Sequence, residues 1–413
     1  MTLLEAERLL LSLEMFGMRF GLDRIRRLLT ALGSPQERLR VIEVVGTNGK
    51  SSTVRMAAAI LRGHGLKTGA YLSPHLASFT ERVRIDDEDV DGRTFAAAVE
   101  RAASAADKVD RGKAEDRVTQ FELLTAAAID CFARGGVEVC VVEAGLGGRY
   151  DATNALDSEV QLLTNVGLEH TRWLGPTIGD IAAEKLDVVR AGSTLVVGHA
   201  LAPEARAVAE TVCRERGATL IEAPADPGTG VVLGAQGKFQ RLNFSLAMAG
   251  AEALIGHLNS DAVCRAAATT LVPGRMHVIG DDPLTVVDGA HNPAGTAAVV
   301  EALTEFSAGR RVALCIGIRD DKDAAEMLRP LLAVSDAVVA TRAGGERALP
   351  PATLVSLAGQ LGFDGPVEAI GDPRVALARA QTLAGPGGVT LATGSIYLVA
   401  DLLAPDRAVR SAL

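Results

Sequence analysis

The chain has 413 residues, 48% of them hydrophobic, and a net charge of −9. That length exceeds one ordinary core and favours two domains, while the acidic balance argues against a general nucleic-acid binder. No apolar run approaches the roughly eighteen residues of a membrane span, and the acidic start (Glu5, Glu7) lacks the basic region of a signal peptide.

Residues 3–32 carry apolar positions at helical spacing and end in Gly33-Ser34-Pro35, which predicts one or two helices outside a sheet. The β-branched run 41–45 reads as a strand, residues 46–53 as a glycine-rich turn, and 54–62 as a helix. A short strand at 67–72 ends in Ser73-Pro74-His75, followed by a polar-apolar stretch at 79–85 and an acidic turn at 86–91. Helices near 93–107 and 119–134 flank a charged, exposed segment. The apolar runs 137–142 and 160–164 read as buried strands; Glu143 ends the first, and the second leads through Asn165 to His170. Thr177 and Asp180 form a capping-box pattern that opens a helix to about residue 190. Strand, helix and strand are expected at 194–197, 202–216 and 219–222, a small antiparallel piece within 226–244, and helices near 245–258 and 260–271. Val272-Pro273-Gly274-Arg275 is the linker candidate, giving domains 1–272 and 273–413. Beyond it, strands near 284–288, 311–316, 336–340, 367–370 and 389–393 alternate with helices, the pattern of a second α/β domain with a largely parallel sheet. The cysteines (131, 140, 213, 264, 315) form no CxxC pair, so free thiols in a reducing cytoplasm are expected, not disulfides or a zinc site.

The chemistry begins at Gly46-Thr47-Asn48-Gly49-Lys50-Ser51-Ser52-Thr53. A strand, a glycine turn and a helix start let backbone N–H groups and the helix dipole meet a phosphate, with Lys50 reaching its outer oxygens. The spacing is shorter than the common P-loop, and either Ser51 or Ser52 supplies a hydroxyl for Mg²⁺. In open α/β sheets ligands sit beyond the carboxyl ends of the strands. Ser73, Glu143 and His170 each follow a predicted strand there. Oxygen donors suit Mg²⁺, and the histidine suits a second or mixed metal site.

Taken together, GTNGKSST, SPHL, TERVRI, EAGLGGRYDATN, TNVGLEHTRWLG, AAEK and DGAHNP occur in an order that resembles folylpolyglutamate synthases and dihydrofolate synthases, within the Mur ligase superfamily of ATP-dependent amide ligases. The resemblance implies an α/β chain: a P-loop-type ATPase domain with a central, mostly parallel sheet, plus a smaller Rossmann-like C-terminal domain that closes over the nucleotide. It implies ATP at Gly46–Thr53, with Asn243, Arg275, Asp288 and His291 reaching the nucleotide, and Mg²⁺ on Ser52, Ser73, Glu143, His170 and Lys185, the lysine as a carbamate. Lys50, Lys185, His170 and Glu143 would be the catalytic set. Ser73, Pro74, His75 and Phe121 would contact a pterin. The expected partners are dihydropteroate or a reduced folate, L-glutamate and ATP, without nucleic acid or membrane, in a cytoplasmic monomer. A Mur-type ligase for another carboxylate and an ATP-binding module without ligase activity are the alternatives. Phe239 stands where the family commonly has His, Ser51 replaces a common Gly, and Leu186-Asp187 replaces Ala-Gly.

Overall fold

A computed structural model describes residues 1–13, 21–111, 116–345 and 347–404. The helical spacing expected across 14–20 and part of the charged segment, 112–115, lie outside the described residues. The described chain divides into two compact units: Met1–Leu233 with Arg241–Thr270, and Gly234–Gln240 with residues 271–404.

The first unit is built on an eight-stranded sheet. Its strands are β1 (Arg40–Val45), β2 (Thr68–Tyr71), β3 (Val83–Ile85), β4 (Glu88–Asp89), β5 (Val139–Glu143), β6 (Val160–Leu163), β7 (Thr194–Val197) and β8 (Thr219–Glu222), in the order β4-β3-β2-β5-β1-β6-β7-β8. Only the β2–β3 and β3–β4 pairs are antiparallel. The central strands read as continuous apolar runs because both faces are covered, as parallel sheets require. The helices are α1 (Leu3–Ser12), α2 (Asp23–Ala31), α3 (Lys50–Gly63), α4 (Gly92–Val109), α5 (Gln120–Arg134), α6 (Thr171–Leu174), α7 (Ile178–Leu186), α8 (Pro203–Arg216), α9 (Lys238–Ile255) and α10 (Ser260–Thr269). One core gathers Leu10, Ile25, Leu28, Phe95, Leu124 and Phe132 from α1, α2, α4 and α5 around Val41, Cys140 and Val142. Another gathers Ile181, Leu186, Ala205 and Ala209 around Val45, Leu163, Leu195 and Val197. Each such large side chain contributes roughly 1.5–3 kcal/mol on burial.

The second unit has a six-stranded sheet in the order β13-β12-β11-β14-β10-β9. Here β9 is His277–Asp281, β10 Leu284–Val287, β11 Val312–Ile316, β12 Ala337–Ala340, β13 Val367–Ala369 and β14 Val389–Thr393. Its helices are α11 (Pro293–Ser307), α12 (Ala324–Leu332), α13 (Pro351–Gln360), α14 (Pro373–Ala384) and α15 (Ile396–Leu403). The edge strand β9 pairs antiparallel with β10 and was not legible as a strand, because its residues lie partly exposed and carry no apolar run.

Two expectations are corrected. Residues 226–237 form no strand; Arg241 instead pins 226–231 as a loop, with Nε and Nη2 on Asp226 at 2.7 and 2.8 Å and Nη1 on the Val231 carbonyl at 2.9 Å. The helix beyond begins at Lys238, well before residue 245. Helix α7 ends at Leu186, short of residue 190, because Arg216 draws off the carbonyl of Asp187 at 2.8 Å and that of Val189. Cys131, Cys140, Cys213 and Cys315 are buried, Cys264 is partly buried, and all are free. No helix among the described residues is long and apolar enough to cross a membrane.

Candidate active site

Strand β1 lies between β5 and β6, and the chain leaves β1 toward β2 on one side and β5 toward β6 on the other. The crevice at such a reversal is where α/β sheets bind ligands. The turn 46–49 emerges there. Gly46 has φ +148 and Gly49, the residue before α3, has φ +86. A Cβ at Gly46 would strike Thr164 Oγ1, and one at Gly49 would strike Asn243 Oδ1. Both glycines are therefore required by close approach as well as by backbone conformation.

The loop after β6 buttresses the turn. Thr47 N donates to Asn165 O at 2.9 Å, Asn48 N to Asn165 Oδ1 at 3.0 Å, and Gly167 N to Thr47 Oγ1 at 3.0 Å. These two turn amides are thus spent on Asn165, unlike the cradle expected of the whole turn. The amides that remain for an anion are those of the first turn of α3, which has no side-chain cap. Thr53 Oγ1 donates to Gly49 O at 2.9 Å and so tightens the helix start.

Two lysines meet on one acceptor. Lys50 Nζ donates to the Gly46 and Thr47 carbonyls, each at 3.2 Å, and Lys185 Nζ donates to Gly46 O at 2.8 Å. Lys185 is only 4% exposed, and burial, with Lys50 adding repulsion, pushes its ammonium down to about 7 against the opposing pull of Glu169 and Asp151. Glu143, at the end of β5, is 2% exposed; Ser51 Oγ donates to its Oε1 at 3.0 Å and Ser73 N to its Oε2 at 3.1 Å. Ser51, Ser73 and Glu143 are thereby brought together, and Ser52 is buried beside Ser51 in α3. His170 has left-handed backbone (φ +52), and its Nε2 is 3.7 Å from Glu169 Oε1.

Of the expected pterin contacts, Phe121 packs against Gly145, where a Cβ would lie 2.8 Å from its Cζ. His75 is buried, accepts from Arg82 Nε through Nδ1 at 2.8 Å, and packs tilted against Phe79, ring centres 4.4 Å apart. Burial, then Arg82, push its imidazolium down to about 2, so it is neutral. Its Nε2 is buried with no hydrogen-bond partner among the described residues. Pro74 lies between Ser73 and His75 in the loop after β2.

In the second unit, Asp288 follows β10 and is buried, accepting from Met276 N at 2.8 Å and Ala290 N at 2.7 Å. Burial raises its carboxyl, while the positive charge of Arg275 opposes the rise. Gly289 leaves room for Arg275, whose Nη1 would be 2.7 Å from a Cβ there, and His291 Nδ1 is 3.0 Å from Gly289 O. Arg275, Asp288 and His291 therefore form one cluster.

Residues 274–396 match the Mur ligase, glutamate ligase domain. A probable bifunctional folylpolyglutamate synthase/dihydropteroate synthase of Haloferax volcanii is 36% identical over 96% of this chain, which spans about half (50%) of that relative's length. The dihydrofolate synthase/folylpolyglutamate synthase of Mycobacterium tuberculosis is 32% identical over 82% of this chain and 78% of its own. The chain belongs to the dihydrofolate synthase/folylpolyglutamate synthase family of ligases. The fold agrees throughout: the Mycobacterium tuberculosis folylpolyglutamate synthase complexed with ADP and AMPPCP superposes with a TM-score of 0.88 at 30% identity, covering 97% of each chain. A bifunctional folylpolyglutamate synthase/dihydrofolate synthase with Mn, AMPPNP and L-glutamate bound superposes with a TM-score of 0.84 at 27% identity, over 98% of this chain and 97% of that one.

Within this family member, sequence reasoning overlooked Asn165 and Thr164, which hold the turn. The signal was present, since Asn165 ends a buried strand run opposite a glycine turn. It also passed over Glu43, a carboxylate inside an apolar strand that is fully buried.

Proposed function

We propose that this chain joins L-glutamate to dihydropteroate, to a reduced folate, or to both, using ATP. The observation that carries the reading is the gathering of Lys50, Lys185 and the buried Glu143 around a strand–turn–helix whose first helical amides are open.

A carboxylate is a poor electrophile because its leaving group is an oxide. In the first step its oxygen attacks the γ-phosphorus of ATP, the bond to the β–γ bridging oxygen breaks, and ADP leaves. The amino nitrogen of glutamate then attacks the acyl-phosphate carbon, the C–O bond breaks, phosphate departs, and the ammonium proton passes to solvent. Positioning and charge neutralisation are what a protein contributes to such phosphoryl transfer. Lys50 and the open amides of α3 offset charge on the phosphates. Asn243, beside Gly49, would contact the nucleotide, and Ser73, Pro74, His75 and Phe121 would receive the pterin.

The donor set fits Mg²⁺. Glu143 is a buried carboxylate that accepts from the Ser51 hydroxyl and the Ser73 backbone N–H, and Mg²⁺ commonly keeps waters and phosphate oxygens, so it needs no cage of acidic side chains. Ser52, Ser73, Glu143, His170 and a Lys185 carbamate would hold it. When bound, the metal supplies Lewis-acid stabilisation of the phosphoryl and acyl oxygens. Lys185's environment supports the carbamate: burial and Lys50 push its amine down to about 7, and a neutral amine can attack dissolved CO₂, losing a proton to become an anion.

The test is an assay of purified protein with ATP, L-glutamate and each acceptor in turn. Glutamate- and acceptor-dependent ADP formation with a new amide product is expected. Phosphate release at full rate without glutamate or pterin would overturn the reading.

A further inference from the structure

Beyond the phosphate turn, β1 carries a charged residue that the reaction above does not use. Glu43 is fully buried in the middle of β1, three residues before Gly46. Thr153 Oγ1, also fully buried, lies 2.7 Å from Glu43 Oε1 and 2.8 Å from Asp151 Oδ1. A hydroxyl has one proton and can donate to only one of the two. The second bond exists only if one carboxyl brings its own proton.

The surroundings identify which one. Asp151 accepts backbone N–H bonds from Leu146 at 2.8 Å and Thr153 at 3.0 Å, with Gly145 a third donor. Burial raises the Asp151 carboxyl too, but these N–H donors and the Thr153 hydroxyl oppose the rise by favouring the ionised form, and Glu43 has no backbone donor among the described residues to do the same. Glu43 meets, among the described residues, only hydroxyls: Thr153 and, at 3.4 Å, Ser158, which itself accepts from Gln161 Nε2 at 2.9 Å. Asp151 is therefore the anion and Glu43 the acid.

The loop that Asp151 organises reaches the site twice. Its Gly145 abuts Phe121, and its Gly148 abuts the backbone of Lys185, where a Cβ would lie 2.5 Å from the carbonyl oxygen. Arg149 N donates to Glu184 O at 2.9 Å. We propose that Glu43 is a positioning residue for loop 145–154: as a neutral acid it donates to Thr153, Thr153 donates to the Asp151 carboxylate, and this chain sets how the loop presents itself to Phe121 and Lys185. The acceptor-side consequence rests on the reading of the site as a pterin–glutamate ligase.

Burial pushes the Glu43 carboxyl up to about 7; the Asp151 charge adds to the rise, while Thr153, Arg190 and Ser158 oppose it. Arg190 Nη2 donates to the Asn154 carbonyl and Oδ1 at 2.5 and 2.7 Å and to the Leu156 carbonyl at 2.8 Å. Because the folded value lies above the ordinary 4.5, the stabilisation is complete below 4.5 and lost as pH rises through about 7.

The experiment compares Glu43→Gln, Glu43→Ala, Thr153→Val and Thr153→Ser by hydrogen exchange of loop 145–154, thermal melting and acceptor KM, at about pH 6 and about pH 8. Glu43→Gln, a permanent neutral donor, should match the native protein in loop protection at the lower pH and exceed it at the higher, with a flatter melting profile. Glu43→Ala and Thr153→Val should lose loop protection and raise acceptor KM by roughly ten- to a hundredfold, with ATP KM little changed and Thr153→Ser restoring the native behaviour. Glu43→Gln behaving like Glu43→Ala at the lower pH, or unchanged loop protection in both Glu43→Ala and Thr153→Val, would overturn the proposal. Exchange and melting need no substrate, so a failure to ligate glutamate with the expected loop behaviour would count against the enzymatic reading alone.

Discussion

The ammonium groups of Lys50 and Lys185 share one acceptor, the carbonyl oxygen of Gly46, at 3.2 and 2.8 Å. Two cations on one dipole in a buried place repel each other, and that repulsion adds to burial in weakening the Lys185 proton. Converting Lys185 to the proposed carbamate would turn the repulsion into attraction. Lys185→Ala is therefore expected to abolish ligase activity while the melting transition stays cooperative. Short carboxylic acids should restore part of the activity by supplying the missing anion. Full activity in the unsupplemented variant would remove the carbamate from the mechanism.

The hydroxyls of α3 separate by what they touch. Ser51 donates to Glu143, while Ser52 is the hydroxyl proposed for the metal. Loss of an outer-shell partner commonly costs about 10–100-fold in metal affinity or activity. Ser51→Ala should fall near the lower end of that range in Mg²⁺-ATP use, and Ser52→Ala should fall further. Steady-state kinetics across a Mg²⁺ titration would show the order, and the reverse order would exchange the two assignments.

Gly49 combines left-handed backbone with a neighbour, Asn243, in the space a Cβ would fill. The backbone cost for an L-residue there is about 1–2 kcal/mol, and the steric conflict adds to it. Gly49→Ala is expected to lower the melting temperature and weaken nucleotide binding. Gly192, also at positive φ (+72) but with nothing near its Cβ position, should show the strain without the loss of nucleotide binding when changed to Ala. Calorimetry with ADP would distinguish the two.

Away from the site, α2 is tied to α5 by a buried pair. Arg24 Nε donates to Glu122 at 3.1 and 3.2 Å, and both side chains are 7% exposed. Glu122 also completes the capping box of α5, accepting from Thr119 N at 2.8 Å. Removing one partner of a buried pair leaves an uncompensated charge, at about 3–5 kcal/mol. Arg24→Met should cost that much in urea unfolding, and the double variant Arg24→Met with Glu122→Gln should cost less than the sum.

Much of this architecture could be read from local pattern. The runs around Val41, Val141, Leu162 and Val196 are apolar because their strands are covered on both faces, and the turn at Gly46 was visible from its glycines and lysine. The failures have a common cause. The Gly-rich section 226–244 suggests a small antiparallel piece, yet one side chain, Arg241, collects the polar groups of 226–231 into a loop. The end of α7 was misplaced because Arg216, distant in sequence, takes its carbonyls.

The sequence by itself determined the alternation of strands and helices, the phosphate turn and, through its motifs, the ligase family, because periodicity, glycine and short polar motifs are local properties. Only the tertiary structure decided which groups share a proton or an acceptor. Lys185 meets Lys50 at Gly46, Ser51 meets Glu143, and Thr153 bridges Glu43 and Asp151, because parallel strands far apart in the chain end side by side. Charge and protonation depend on such neighbours and on burial, and neither is written in the order of the residues.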